Sequence, residues 1–308
     1  MYAAANPYEG SHFFDFFLTL GKRVLYLFQG GEGSFFLVGD EVQILALLAI
    51  TLSAASVGTL LVLQKMTMLA NALSHTMLLG IVLVYVFLGI GVGHPGMLIA
   101  SLGMGLLTNF LTEWLNGKGG LSLDASIALV FTALFALGIL AATLFAKNAH
   151  IGIEAVMGNV DALQKEDLPL LFGVAGLNGF SVWLLGKEWQ MLSFDPIFAR
   201  CQGVLFRFFR YLLMFQAAIT VTAAFRAVGV ILVLVFMTGP VLMARLYAER
   251  FFSLMGFAVL FGAGNALVGV ALSRHFHSEG ILLSTGGVVT SLILVTYLTL
   301  ASFKRRIM

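Results

Sequence analysis

Long apolar stretches, broken at short intervals by glycine and small clusters of charge, set the pattern of this chain. Eight runs stand out, at approximately Val42–Gln64, Thr67–Val92, Met97–Leu115, Ser122–Ala146, Leu168–Leu185, Tyr211–Phe225, Gly229–Tyr247 and Phe251–Leu272, with Gly280–Phe303 as a ninth candidate. Most are close to the ~20 residues that an α-helix needs to cross the hydrocarbon of a bilayer. Backbone in lipid must satisfy its own hydrogen bonds, so such runs predict helices. The sixth and seventh are parted by little more than Arg226 and read as a broken or tightly turned pair. Ahead of them, His12–Phe28 is rich in Phe yet carries Asp15, Lys22 and Arg23, which suits an amphipathic helix lying at the membrane interface. The expected organisation is all-α. It has an N-terminal segment with an interfacial helix over residues 1–40 and a polytopic membrane bundle of about eight spans, with a ninth in question, over 41–308.

Composition agrees with this pattern. The 308 residues are 60% hydrophobic and 10% charged, where a soluble domain carries about 25% charged residues. Mean hydropathy is +1.00. A formal net charge of +2 gives no reason to expect a nucleic-acid partner, and the single Cys201 excludes an internal disulfide. The first ten residues lack the basic-then-apolar order of a cleaved signal peptide.

Lys and Arg placement predicts sidedness. With Lys304-Arg305-Arg306 cytoplasmic and spans alternating backwards, Lys65, Lys118, Lys187, Arg200, Arg207, Arg210, Arg245 and Arg250 fall inside. Lys147, Lys165, Arg226 and Arg274 then fall outside. The longest inner loop holds Asp195-Pro196-Ile-Phe-Ala199-Arg200-Cys-Gln-Gly203. Asp195 suits a helix cap, Pro196 a first turn and Gly203 a helix end. A short capped helix on the cytoplasmic face could dock another protein, or be an ordinary amphipathic connector. The glycines, 34 in all, suit close packing of helices.

One stretch places chemistry inside a span: Asn71-Ala-Leu-Ser74-His75-Thr76-Met77-Leu-Leu79-Gly80. Polar groups at that depth are costly, so a histidine there marks either a ligand or ion path, or a hydrogen bond that holds two helices together. Asn71 and His75 share one helix face about 6 Å apart along the axis. An amide oxygen and an imidazole nitrogen could receive a divalent transition metal, weakly enough to let it leave. A second cluster, His275, His277 and Glu279, alternates along the chain, so in an extended outer loop the three would point one way and collect a cation at an entrance. A plain solvated loop fits them as well. Asp124, Glu113, Asp161, Glu166 and Asp167 fall at span ends or in loops, which gives no carboxylate relay. No G-x-x-x-x-G-K-[ST], H-E-x-x-H or G-x-S-x-G motif occurs, so ATP chemistry, if used, belongs to another chain.

Several segments together resemble the ABC-3 permeases, the membrane subunits of zinc, manganese and iron importers. Asn71–Gly80 is similar to the family's D-x-x-S-H-A-x-L-P-G. Leu123-Asp124-Ala125 through Gly138 is similar to its acidic span start ending in Ala-Leu-Gly. Val156-Met-Gly158-Asn159 is similar to F-G-N-I-L, and Phe194-Asp195-Pro196-Ile-Phe-Ala199-Arg200-Cys-Gln-Gly203 to F-D-P-x-x-A-x-x-x-G. Val228-Gly229 through Gly239-Pro240 to Ala244-Arg245-Leu246 is similar to V-G-x-L-L…P-A-x-x-A-R-L.

The resemblance implies a type II ABC importer permease in a bacterial plasma membrane, multi-pass and with a cytoplasmic C-terminus. It is a transporter subunit rather than an enzyme, with no permanently bound cofactor. It would carry Zn, Mn or Fe past His75 and Asn71 and pair with a second permease copy or a homologue. Cytoplasmic ATPases would dock on Asp195, Pro196, Ala199, Arg200 and Gly203, and an extracytoplasmic metal-binding protein would deliver the ion. Two positions depart from the pattern: Asn71 stands where the family has a carboxylate, and Leu79 where it has proline. The alternative is a secondary transporter driven by an ion gradient, which calls for buried carboxylates or an inverted repeat.

Overall fold

The computed structural model describes residues 7–8, 12–28, 37–88, 95–145, 160–281 and 283–307. The expected packing glycines Gly89–Gly93, the Val156–Asn159 segment and Lys147 lie outside them. Among the described residues the secondary structure is helical throughout, so the all-α expectation holds. The helices are α1 (Phe13–Phe28), α2 (Gly39–Leu63), α3 (Thr67–Leu88), α4 (Pro95–Lys118), α5 (Leu123–Phe145), α6 (Leu168–Leu184), α7 (Gly186–Phe194) and α8 (Pro196–Cys201). They continue as α9 (Phe206–Val228), α10 (Val230–Ala244), α11 (Phe251–Ser278) and α12 (Thr285–Ile307).

Helix α2 is the axis of the bundle. It opens with Asp40 and Glu41 at its positive end, and the Glu41 carboxylate accepts from the Val38 backbone N–H at 3.1 Å. Nearly its whole length is buried against α6, α9, α10 and α11. At Gly58 a Cβ would stand 2.0 Å from the Met237 carbonyl oxygen, so only glycine lets the backbones of α2 and α10 meet there.

Among the described residues eight helices are long and apolar enough to span a bilayer, and the ninth candidate run, now α12, is one of them. The run that falls short is the seventh, α10, whose 15 residues reach about 22 Å against a core of about 30 Å. Its start is set by Gly229, with φ +82° and ψ 171°, a conformation that is essentially restricted to glycine. This single residue separates α9 from α10, and Val230 packs with Phe225 and Ile81. The tightly turned pair expected at Arg226 is therefore present, centred on Gly229.

The basic residues sort to two ends. Lys65, Arg200 and Arg210 line one cleft, and Lys304 donates to the Leu246 carbonyl. At the other end Arg274 contacts Asp40 at 2.5 Å and Asp161 at 3.7 Å. Asp161 also accepts from the Thr285 hydroxyl at 2.6 Å, so this end ties α2, α11 and α12 together. Here the sequence reading needs correction. Asp40 and Glu41, adjacent and buried at the start of α2, join the carboxylates named from the sequence. Each is matched by an arginine: Arg274 for Asp40, Arg23 on α1 for Glu41. That pairing fixes them as structural ions rather than a proton relay.

Candidate translocation site

Helix α3 buries Leu69, Ala70, Leu73 and Met77 in the core. The four polar residues between Asn71 and Thr76 then divide into two kinds. The Ser74 hydroxyl donates to the Ala70 carbonyl at 2.9 Å, and the Thr108 hydroxyl of α4 donates to the Thr76 oxygen at 2.9 Å. These two serve the helix and its packing. Asn71 and His75, one turn apart, are half-buried, and neither makes a hydrogen bond among the described residues.

The His75 ring meets two phenylalanines of α5. Its centroid lies 5.6 Å from Phe131 and 5.1 Å from Phe135, and those two rings stack at 5.7 Å. The imidazole thus has an aromatic wall on one side and stays half-buried overall. Of the two readings of this residue, the helix-holding hydrogen bond is absent among the described residues.

That holding role falls to residues the sequence reading passed over. Asn178 of α6 is fully buried, and its amide donates to the Ser53 hydroxyl of α2 at 2.6 Å and the Thr220 hydroxyl of α9 at 2.7 Å. The Asn109 amide of α4 donates to the Met214 carbonyl of α9 at 2.9 Å. Nearer the Lys65 end, Arg210 pairs with Glu113 at 3.0 Å. Asn178 interrupts an apolar run as visibly as His75 does, so the depth argument could have found it.

The capped connector forms as its residues predict. Asp195 Oδ1 accepts from the backbone N–H groups of Ile197 at 3.1 Å and Phe198 at 2.9 Å, Pro196 opens the helix, and Gly203 follows with φ +81°. Arg200 lies over the Phe206 ring at 4.5 Å. Ala199 is fully buried and seats the helix on the bundle. Exposed on this connector are Asp195, Pro196, Ile197, Phe198 and Arg200, with Ile197 at 75%.

At the Arg274 end, α11 runs to Ser278 rather than stopping at Leu272, and the extended loop expected over 273–279 is helix. The Gly280 N–H bonds the His277 carbonyl and the Ile281 N–H bonds the Phe276 carbonyl, which closes the last turn. On a helix His275 and Glu279 share a face and His277 does not, so the alternating trio is corrected to a pair. His12, at the start of α1, joins that pair: its Nδ1 lies 4.0 Å from Glu279 Oε1.

Helix α1 is held by Glu41, which accepts from the Tyr8 hydroxyl at 3.0 Å and from Arg23 Nη2 at 3.2 Å. Burial, reinforced by the bond to Glu41, pushes the Tyr8 pKa up, and the same carboxylate raises that of Arg23.

The profile of the ABC 3 transport family matches residues 41–304. The chain belongs to this family. It is similar to a "probable metal transport system membrane protein" of Chlamydia muridarum, with 37% identity across 99% of this chain and 98% of that one. It is 32% identical to the manganese transport system membrane protein MntD of Bacillus subtilis, over 80% of this chain and 85% of the relative. The fold matches PsaBC from Streptococcus pneumoniae, solved with a Fab, at a TM-score of 0.72 and 23% identity, over 91% of this chain and 95% of that chain. This permease is therefore a multi-pass, membrane-embedded subunit of an ABC transport system.

Proposed function

We infer that the permease imports a divalent transition metal ion, with manganese favoured among Mn, Zn and Fe, and that the ion passes beside His75 and Asn71. The observation that carries this reading is the division of polar groups on α3. Two hydroxyls are spent on structure, while an imidazole and an amide at one turn's spacing, both half-buried within a span, make no side-chain hydrogen bond among the described residues. Facing lipid, such groups would cost free energy with nothing gained. Facing a second permease across a polar seam, they offer a nitrogen and an oxygen that suit a borderline metal. Manganese is favoured by the names of relatives such as MntD.

In this reading the ion is cargo, and no cofactor is retained. Cytoplasmic ATPases engage the connector through Ile197, Phe198 and the turn set by Asp195, Pro196 and Gly203, with Arg200 beside them. The C-terminus lies on the same side, in the cytoplasm of a bacterium. An extracytoplasmic binding protein delivers the ion at the Arg274 end. An ion-gradient mechanism is disfavoured, because the buried carboxylates it would use are held by Arg274 and Arg23.

The test is to purify the tagged permease with its co-expressed partners and reconstitute it in sealed liposomes. ATP-dependent manganese accumulation that persists after ionophores collapse all ion gradients is the expected result. Accumulation that needs a gradient and ignores ATP would reject the reading.

A further inference from the structure

We propose that His12, His275 and Glu279 form a surface binding site for a divalent transition metal, distinct from the path at His75. The ligand atoms of these three side chains all lie within 4.8 Å of one another. The two imidazole centroids are 5.7 Å apart at 62°, an edge-on arrangement that leaves ring nitrogens free to converge. A tetrahedral site with metal–nitrogen bonds of 2.0–2.1 Å needs ligand atoms about 3.4 Å apart. Closing from 4.8 Å takes only small rotations of His12 and Glu279, whose side chains are 66% and 55% exposed and free to turn.

A second observation bears on the same site. His275 Nδ1 is buried and has no hydrogen-bond partner among the described residues, so that ring has polar capacity left for a ligand. Two imidazoles and one carboxylate, with a fourth position open to water, suit zinc and its neighbours better than calcium or magnesium. The site also has a mechanical consequence. His12 begins α1, whereas His275 and Glu279 end α11, so a bound ion clamps the N-terminal helix to the end of the bundle. Helix α1 is otherwise held by the Arg23–Glu41 ion pair to α2 and by Phe16, buried in the core. The ion would add a direct clamp at the N-terminal end of that helix.

The inference does not depend on what the transporter carries, and its test keeps the two sites apart. Cobalt(II), whose visible absorption reports tetrahedral nitrogen and oxygen ligands, and zinc are titrated into the purified full-length permease in detergent. His75→Ala serves as background, so that the path contributes no imidazole. One equivalent should bind with the tetrahedral spectrum. His12→Ala or Glu279→Gln should weaken it about tenfold or more, since loss of even an indirect ligand contact costs that much. His277→Ala should leave it unchanged. Zinc should also slow hydrogen exchange in α1, and His12→Ala should remove that protection. Unchanged affinity in His12→Ala, or loss of binding in His277→Ala, would overturn the proposal.

Discussion

The imidazole of His75 rests against the ring of Phe135, their centroids 5.1 Å apart and their planes inclined by 57°. The contact fixes one side of the ring without using its nitrogens. A histidine needed only for packing would spend a nitrogen on a neighbouring helix, as Asn178 spends its amide. In the proposed path Asn71, one turn earlier, would be the second ligand, and it carries no charge.

Asn71→Asp should therefore strengthen the hold on a divalent ion. A unit charge at about 4 Å is worth up to ~4 kcal/mol per opposing unit charge at an effective dielectric near 20. Tighter binding delays release, so KM for metal uptake should fall and kcat should fall with it. Uptake kinetics in proteoliposomes give both constants. Unchanged KM would remove Asn71 from the path.

Asn178→Leu should cost stability without touching transport. Hydrogen bonds between membrane helices average about 0.6 kcal/mol, so losing those to Ser53 and Thr220 should cost about 1–2 kcal/mol. Ser53 and Thr220 stay within 3.2 Å of each other and can pair. Thermal unfolding in detergent should show a lower Tm, with uptake per folded molecule unaltered. A transport defect in stable protein would make this cluster functional.

Most of the bundle could be read from the residues. Apolar runs of span length give the helices because lipid leaves the backbone no alternative. Asp195, Pro196 and Gly203 give the short connector because each satisfies a local geometric need. The misreadings came where local pattern met distant partners. Alternation suggested a loop at His275–Glu279, yet a helix end that leaves the bilayer carries polar residues just as well. Asp40 and Glu41 look like a solvated span start until Arg274 and Arg23 arrive from remote positions. His12 carries no local signal at all. A break near Arg226 was legible, but that Gly229 makes it, and how short the following helix would be, was not.

Arg274→Met should destabilise the end of the bundle that holds Asp40, which is 1% exposed and sits 2.5 Å from the guanidinium. Removing one partner of a buried pair typically costs about 3–5 kcal/mol. Adding Asp40→Asn should recover part of that loss, so the double mutant should be clearly more stable than the sum of the singles. Chemical unfolding of the four proteins measures the coupling. Additive losses would mean that the pair does not act as a unit.

Asp195→Ala removes the cap from the connector helix, a change worth about 1 kcal/mol locally. The fold should survive. If ATPases grip this helix, reconstituted complexes should hydrolyse ATP with reduced metal transport per ATP. Ratios of transport to hydrolysis equal to wild type would place the docking surface elsewhere.

The most direct measurement is ATP-driven manganese uptake by the intact reconstituted complex carrying His75→Ala. The ring makes no hydrogen bond among the described residues, so the variant should express and assemble as wild type does. Uptake should nevertheless fall about tenfold or more, the loss expected when an ion gives up ~1.4 kcal/mol of ligation at its passage point. Wild-type uptake in this variant, at equal assembly, would contradict a path beside His75.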